Sequence, residues 1–220
     1  MKLKYLGLLV FLSILLTQCA SSASIEGMTV KDYKAEKKIG DKIYIKSVTG
    51  GKKTNPLWTS KISNENFEEA FKKSVIESEI FSKIDSITND DDWVLEINLI
   101  SVDQPFFGTT FTVKTTIEYK FYYKNELKFS KNIKQSGSAK MSDALIGAKR
   151  LRLANEVSAK NNINELLRSL NEIALNITAK LAQVSRRCLQ NKGFTEDSKN
   201  MFLLIKSLIG SKCSVVTTDW

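Results

Sequence analysis

Thr110-Phe111-Thr112-Val113-Lys114-Thr115-Thr116-Ile117-Glu118-Tyr119-Lys120-Phe121-Tyr122-Tyr123 decides the fold. Phe111, Val113, Thr115, Ile117, Tyr119, Phe121 and Tyr123 fall on one face of an extended chain. Thr112, Lys114, Thr116, Glu118 and Lys120 fall on the other. Period two over this length is a strand signal and has no helical reading. Lys124-Asn125-Glu126 turns the chain, and Leu127, Phe129, Lys131 and Ile133 continue it, so 109–135 reads as a hairpin. One apolar and one polar face describe an antiparallel sheet covered on one side.

Upstream, Trp93, Leu95, Ile97 and Leu99 alternate with Val94, Glu96, Asn98 and Ile100 as a further strand, which Asp103-Gln104-Pro105 breaks. Lys42 to Val48 reads as the first strand, ending at the turn signal Gly50-Gly51. Between them Ser63 is an N-cap, and Phe67, Ala70, Phe71, Ser74, Val75 and Ser78 recur at helical spacing over roughly 64–81. The two serines leave room for a sheet to approach. Downstream, Ser142-Asp143 reads as the cap of a long helix. Its second half carries the seam Ile163, Leu166, Leu167, Leu170, Ile173, Ala174, Ile177, Leu181 and Val184. Gly193 stops it, and Met201 to Ile209 form a last helix. The expectation is α+β: a two-layer sandwich with an antiparallel-rich, four-stranded sheet and helices on one face. The order is β-α-β-β-β-α, followed by a C-terminal helical hairpin.

The chain begins Met1-Lys2-Leu3-Lys4, continues through an apolar run from Leu6 to Leu16, and reaches Thr17-Gln18-Cys19-Ala20-Ser21-Ser22. A basic start and a short apolar core describe a secretory signal, too short to span a bilayer. Leu16, three residues before Cys19, with Ala20-Ser21-Ser22 after it, resembles the lipobox of bacterial lipoproteins. That resemblance implies cleavage before Cys19 and acylation of Cys19, palmitate included. Ala20 resembles the sorting pattern for the outer membrane, facing the periplasm. An ordinary secretory signal with a stray cysteine is the alternative. Expected boundaries are 1–18 signal peptide, 19–41 flexible tether, 42–170 α+β domain and 171–220 helical extension. The tether, with its Ser, Gly and Lys/Glu content, has an expected span of roughly 25 Å.

The element order resembles that of envelope lipoproteins, including the N-terminal module of TolB and LptE. Gly50 to Trp58, and Asp143-Ala144-Leu145-Ile146-Gly147 to Asn155-Glu156, resemble an uncharacterised group of bacterial lipoproteins over about 42–170. That resemblance implies scaffolds and binding modules, with no catalytic residues.

The formal charge is +9, or +7 once Lys2 and Lys4 leave with the signal. Outside the cytoplasm no nucleic acid is expected, and phospholipid headgroups, lipopolysaccharide or other cell-wall polymers are the anionic partners the charge would suit; the alternative, which weighs more, is that the lysines only solvate the surface. The chain has no histidine, which removes the commonest general base and neutral metal ligand, and with three cysteines it has no zinc set. Cys188 and Cys213 are expected not to pair within one chain. Gly50-Gly51-Lys52-Lys53-Thr54 fails the phosphate-loop spacing, and Asp90-Asp91-Asp92 lacks the calcium-loop pattern. Arg150 and Arg152 are expected on the solvated face of the long helix. Pro56-Leu57-Trp58 and Pro105-Phe106-Phe107 place large apolar side chains in strand-end loops. Leu57, Trp58, Phe106 and Phe107 are the candidate docking residues, and plugs for the ends of the core are the alternative. The expected function is a membrane-anchored, non-enzymatic accessory or scaffold in envelope assembly or transport, with no cofactor, the membrane and an envelope protein as partners. The alternative is a carrier of a lipid or hydrophobic ligand.

Overall fold

The structure, a computed structural model, describes residues 21–54, 60–87 and 93–190. Its elements are α1 (Ile25–Met28), β1 (Gly40–Ile45), α2 (Asn64–Ser78), β2 (Phe81–Asp85), β3 (Trp93–Asp103), β4 (Thr110–Tyr123), β5 (Glu126–Lys140) and α3 (Gly147–Gln190). The fold is α+β with a five-stranded mixed sheet in the order β2-β1-β3-β4-β5. The expected sheet had four strands. The missing one, β2, lies where the helix was expected to end: Glu79 adopts a left-handed φ of 58° as the cap of α2. Phe81 then pairs with Gly40 in parallel register. β1–α2–β2 is therefore a parallel crossover, while β3, β4 and β5 form an antiparallel meander.

β4 keeps its alternation throughout: every residue of the apolar set from Phe111 to Tyr123 is buried. β5 follows it except at one point. A register shift beside Phe121/Tyr122 sets Leu127 opposite Tyr122, so Leu127 lies on the open face and is 53% exposed, unlike its expected neighbour Phe129. The turn is Lys124-Asn125, both at positive φ, as a two-residue hairpin requires. Phe67 and Phe71 of α2, Leu95 and Ile97 of β3, and Ile163, Leu166 and Leu167 of α3 share one core with β4. A smaller cluster of Phe111, Val113, Ala139, Leu151 and Ala154 fills the sheet end where β4 starts and α3 begins.

Residues 21–39 are not a free tether. Ala23, Met28 and Val30 are buried in the main core. Ser24 caps α1 and donates its backbone N–H to Glu156 Oε1 at 2.8 Å. Ala23 N donates to Lys61 O, and Asn66 Nδ2 donates to Ala23 O. The buried serines of α2 receive this segment: Val30 N donates to Ser74 Oγ, and Ala35 N to Ser78 O. The small residues expected to admit a sheet admit this irregular N-terminal segment instead. Apolar positions spaced irregularly among Ser, Lys and Glu carry no period, which is why composition alone suggested a tether.

α3 starts at Gly147, later than expected. Asp143 closes a turn instead, its Oδ2 accepting from Lys140 N at 2.7 Å. The seam residues from Ile163 to Ala174 pack into the sheet core; the last helix of the expected helical hairpin falls outside the described residues. Residues 191–220 lie outside the described residues. α3 approaches β5 so closely that a Cβ at Gly137 would lie 2.2 Å from Ser158 N. Beneath it, buried Asn162 donates to Ile133 O and Thr115 O and accepts from Tyr119 Oη at 3.0 Å. Burial holds the Tyr119 hydroxyl well above its ordinary pKa, so it stays a donor.

Candidate functional site

Four chain segments converge at the end of the sheet where β3 stops, β4 starts, β5 stops and α3 starts. Phe106 and Phe107, in the β3–β4 loop, are 93% and 89% exposed. Leu145 in the β5–α3 loop is 82% exposed, and Met141 and Ile146 beside it are about half exposed. The alternative that the two phenylalanines plug the core is overturned. The core ends instead at Phe111, which is buried under Arg150.

Arg150 is the residue that organises this end. It is buried, against the expectation of a solvated face, because its neighbours leave it three carbonyls to satisfy. Nη1 donates to Ala144 O and Leu145 O, and Nη2 to Gly108 O, each at 3.2 Å. Its guanidinium carbon lies 4.9 Å from the centroid of the Phe111 ring. One planar cation thus fastens both apolar loops to the first turn of α3. The same end holds the start of the described chain. Arg152 Nη1 donates to Ser21 Oγ at 3.0 Å, and Ser22 Oγ donates to Lys61 O. Lys61 Nζ donates to Gln104 Oε1, and Gln104 Nε2 donates to Ser60 O and Asn155 Oδ1. Partial burial lowers the Lys61 pKa. Exposed Lys52, Lys53, Lys140 and Lys149 outnumber the exposed acids Asp103 and Asp143 here.

Cys19, Leu57 and Trp58 lie outside the described residues, as do Asp90-Asp91-Asp92, Cys213 and the side chain of Cys188. The chain flanking Leu57 and Trp58 is fixed: Lys61 N donates to Thr54 Oγ1, and Ser60 O accepts from Gln104 and Asn155. Leu145, Ile146 and Met141 escaped sequence reading because the apolar run Ala144-Leu145-Ile146 was absorbed into the expected helix. Its signal was present in the flanking Asp143 and Gly147, which bound a loop as readily as a helix start.

The sheet face away from the helices is open and polar. A hollow of about 320 Å³ there is lined by Lys46, Thr49, Glu96, Asn98, Glu118 and Lys120 among others. Lys46 Nζ lies 2.6 Å from Glu96, which also accepts from Tyr122 Oη at 3.2 Å. The lysine ammonium holds the Glu96 carboxyl below its ordinary pKa. A second hollow, about 220 Å³, lies beside Gly50, Lys61 and Leu99. Both open on the surface, and neither lies between helices and sheet. Among the described residues no group of three or more His, Cys, Asp or Glu is placed to hold a metal, and no helix is long and apolar enough to cross a membrane.

No protein-family model matches the chain, and no curated protein matches it in sequence. Among solved structures, a Xanthomonas campestris protein of the DUF330 family is similar at 8% identity and TM-score 0.46, over 63% of this chain and 86% of its own. A minor lipoprotein from Acinetobacter baumannii is similar at 8% identity and TM-score 0.41, over 60% and 93%. Uncharacterized lipoprotein B from Nitrosomonas europaea is similar at 12% identity and TM-score 0.38, over 68% and 92%. At such scores the likeness carries no argument from those proteins' roles to this one.

Proposed function

We propose that this chain is an envelope lipoprotein, acylated at Cys19, that works as a non-enzymatic docking module on the periplasmic side of the outer membrane. The observation that carries the docking reading is the exposed apolar end built from Phe106, Phe107 and Leu145 on a clamped, buried base. Exposed aromatics held on a rigid scaffold are what a binding surface needs, because little entropy is lost on contact. The non-enzymatic part rests on composition, since the chain has no histidine. The address rests on the signal sequence and Ala20. The carrier reading draws less support. The space between helices and sheet is taken up by Tyr119, Phe67, Phe71 and Phe121, each at most 1% exposed, where a carrier needs an apolar cavity of some hundreds of Å³.

Metabolic labelling with an alkyne fatty acid tests the anchor: wild type labels and Cys19→Ser does not. Equal labelling of both removes the lipoprotein reading. Crosslinking of the tethered protein in intact cells, followed by capture, tests the docking. Crosslinks to envelope components, protein or lipid, whose yield falls with Phe106→Ala/Phe107→Ala are the expected result, and a yield indifferent to that pair overturns the docking reading.

A further inference from the structure

We infer that the partner of the apolar end is the lipid bilayer itself: Phe106, Phe107 and Leu145 insert at the membrane interface beside the acylated cysteine. This rests on the acylation of Cys19 proposed above. Two lines of contact run from the start of the described chain to the loops. Ser22 Oγ donates to Lys61 O, and Lys61 Nζ donates to Gln104 Oε1, two residues before Phe106; Ser21 Oγ accepts from Arg152, on the α3 turn whose Arg150 holds both loops through Gly108 O and Leu145 O. Only two peptide units separate Ser21 from Cys19, so their Cα atoms are at most about 7.6 Å apart. With residues 21–24 bonded to Lys61 and Glu156, no slack exists to lift the domain from the surface.

The chemistry of this end suits an interface. Two phenyl rings and three aliphatic side chains stand out from a rim carrying exposed Lys52, Lys53, Lys140 and Lys149. Phe and Leu side chains bury at the boundary between headgroups and acyl chains, and lysines beside them meet anionic lipid. A lipid chain alone gives weaker, freely rotating attachment; a second contact fixes how the domain faces its surroundings. Among the described residues the opposite end carries less: Leu127, half exposed, stands beside the Lys128–Glu126 pair, and Lys83 and Lys42 pair with Asp85.

The test uses the full acylated chain with Cys188→Ser and Cys213→Ser, bound to vesicles of phosphatidylethanolamine and phosphatidylglycerol. An environment-sensitive fluorophore is placed at Phe107→Cys, at Leu145→Cys or, at the far hairpin, at Leu127→Cys. Positions 107 and 145 are expected to shift to the blue and to be quenched by nitroxide-bearing lipid, and position 127 to do neither. A solvent-like signal at 107 and 145 overturns the inference and leaves the end to a protein partner. A second measurement is independent of acylation. The unacylated Cys19→Ser chain is compared with Cys19→Ser/Phe106→Ser/Phe107→Ser by flotation with the same vesicles. About tenfold weaker binding per ring removed is expected. Equal binding of the two overturns insertion, whether or not Cys19 proves to be the anchor.

Discussion

Both ends of the sheet carry aromatic pairs, and the pairs have opposite fates. At one end Trp93 and Tyr123 face each other across β3 and β4 in register, with ring centroids 4.9 Å apart, and Tyr123 is buried. At the other, Phe106 and Phe107 follow the last ladder pair of β3, Asp103 with Lys114, and lie almost wholly in solvent. Residue type does not decide burial; position relative to the ladder does. Inside the ladder each ring has a cross-strand neighbour at a fixed distance. Three and four residues past it there is no opposing strand. A buried arginine then fixes the backbone without covering the side chains.

The largest effect expected is at the core. Phe121→Ala should cost about 3–5 kcal/mol, whereas Thr116→Ala on the open face of the same strand should cost under about 1 kcal/mol. The reverse ranking in chemical denaturation would shift the register by one residue. Next, Arg150→Ala should cost about 2–3 kcal/mol, because three carbonyls lose a charged donor. It should also speed amide exchange at residues 106–108 and 144–146 while leaving 123–126 unchanged. Uniform acceleration at both ends would remove Arg150 as a local clamp. Trp93→Ala, at the packed end, should cost about 1–2 kcal/mol. Glu26 offers a smaller, pH-dependent check on how firmly the N-terminal segment is held. Hydrogen bonds from Lys31 and Lys73 lower its pKa from 4.5 to about 2. Its contribution is therefore complete above pH 4.5 and is lost as pH falls towards 2. Since Glu26 is exposed, Glu26→Gln should flatten the acid limb of stability only slightly. Last, Phe106→Ala should leave the melting temperature nearly unchanged. A loss as large as that of Trp93→Ala would mean the two ends are alike after all.

How much was legible follows the same division. β4 and its buried face were readable because period two persists through all its core positions. α2 was readable from Ser63, whose Oγ accepts from Asn66 N, and from the spacing of Phe67, Ala70 and Phe71. β2 was not, because its burial pattern is a single buried Phe81 followed by exposed Ser82 and Lys83. An edge strand of five residues gives too little alternation to outvote the helix before it. The N-terminal layer was hidden because its partners, Glu156, Ser74 and Ser78, are polar residues on distant helices, and no local rule links them. Phe106 and Phe107 were correctly singled out as loop aromatics. The clamp beneath them was not, since a guanidinium bonded to three carbonyls looks in sequence like any arginine on a helix.

The bonds of that N-terminal layer also set an order of events. Ser24 reaches Glu156 across 132 positions, and Glu36 N reaches Asn171 Oδ1 across 135. Closing a loop of that length costs roughly 4 kcal/mol of chain entropy, and it cannot begin until the distant helix exists. The part of the chain delivered first is thus the last to find its seat. On the export route proposed above, residues 21–24 stay accessible to a processing enzyme until α3 has formed. Arrival of α3 closes that window by taking Ser21 to Ser24 into the folded body.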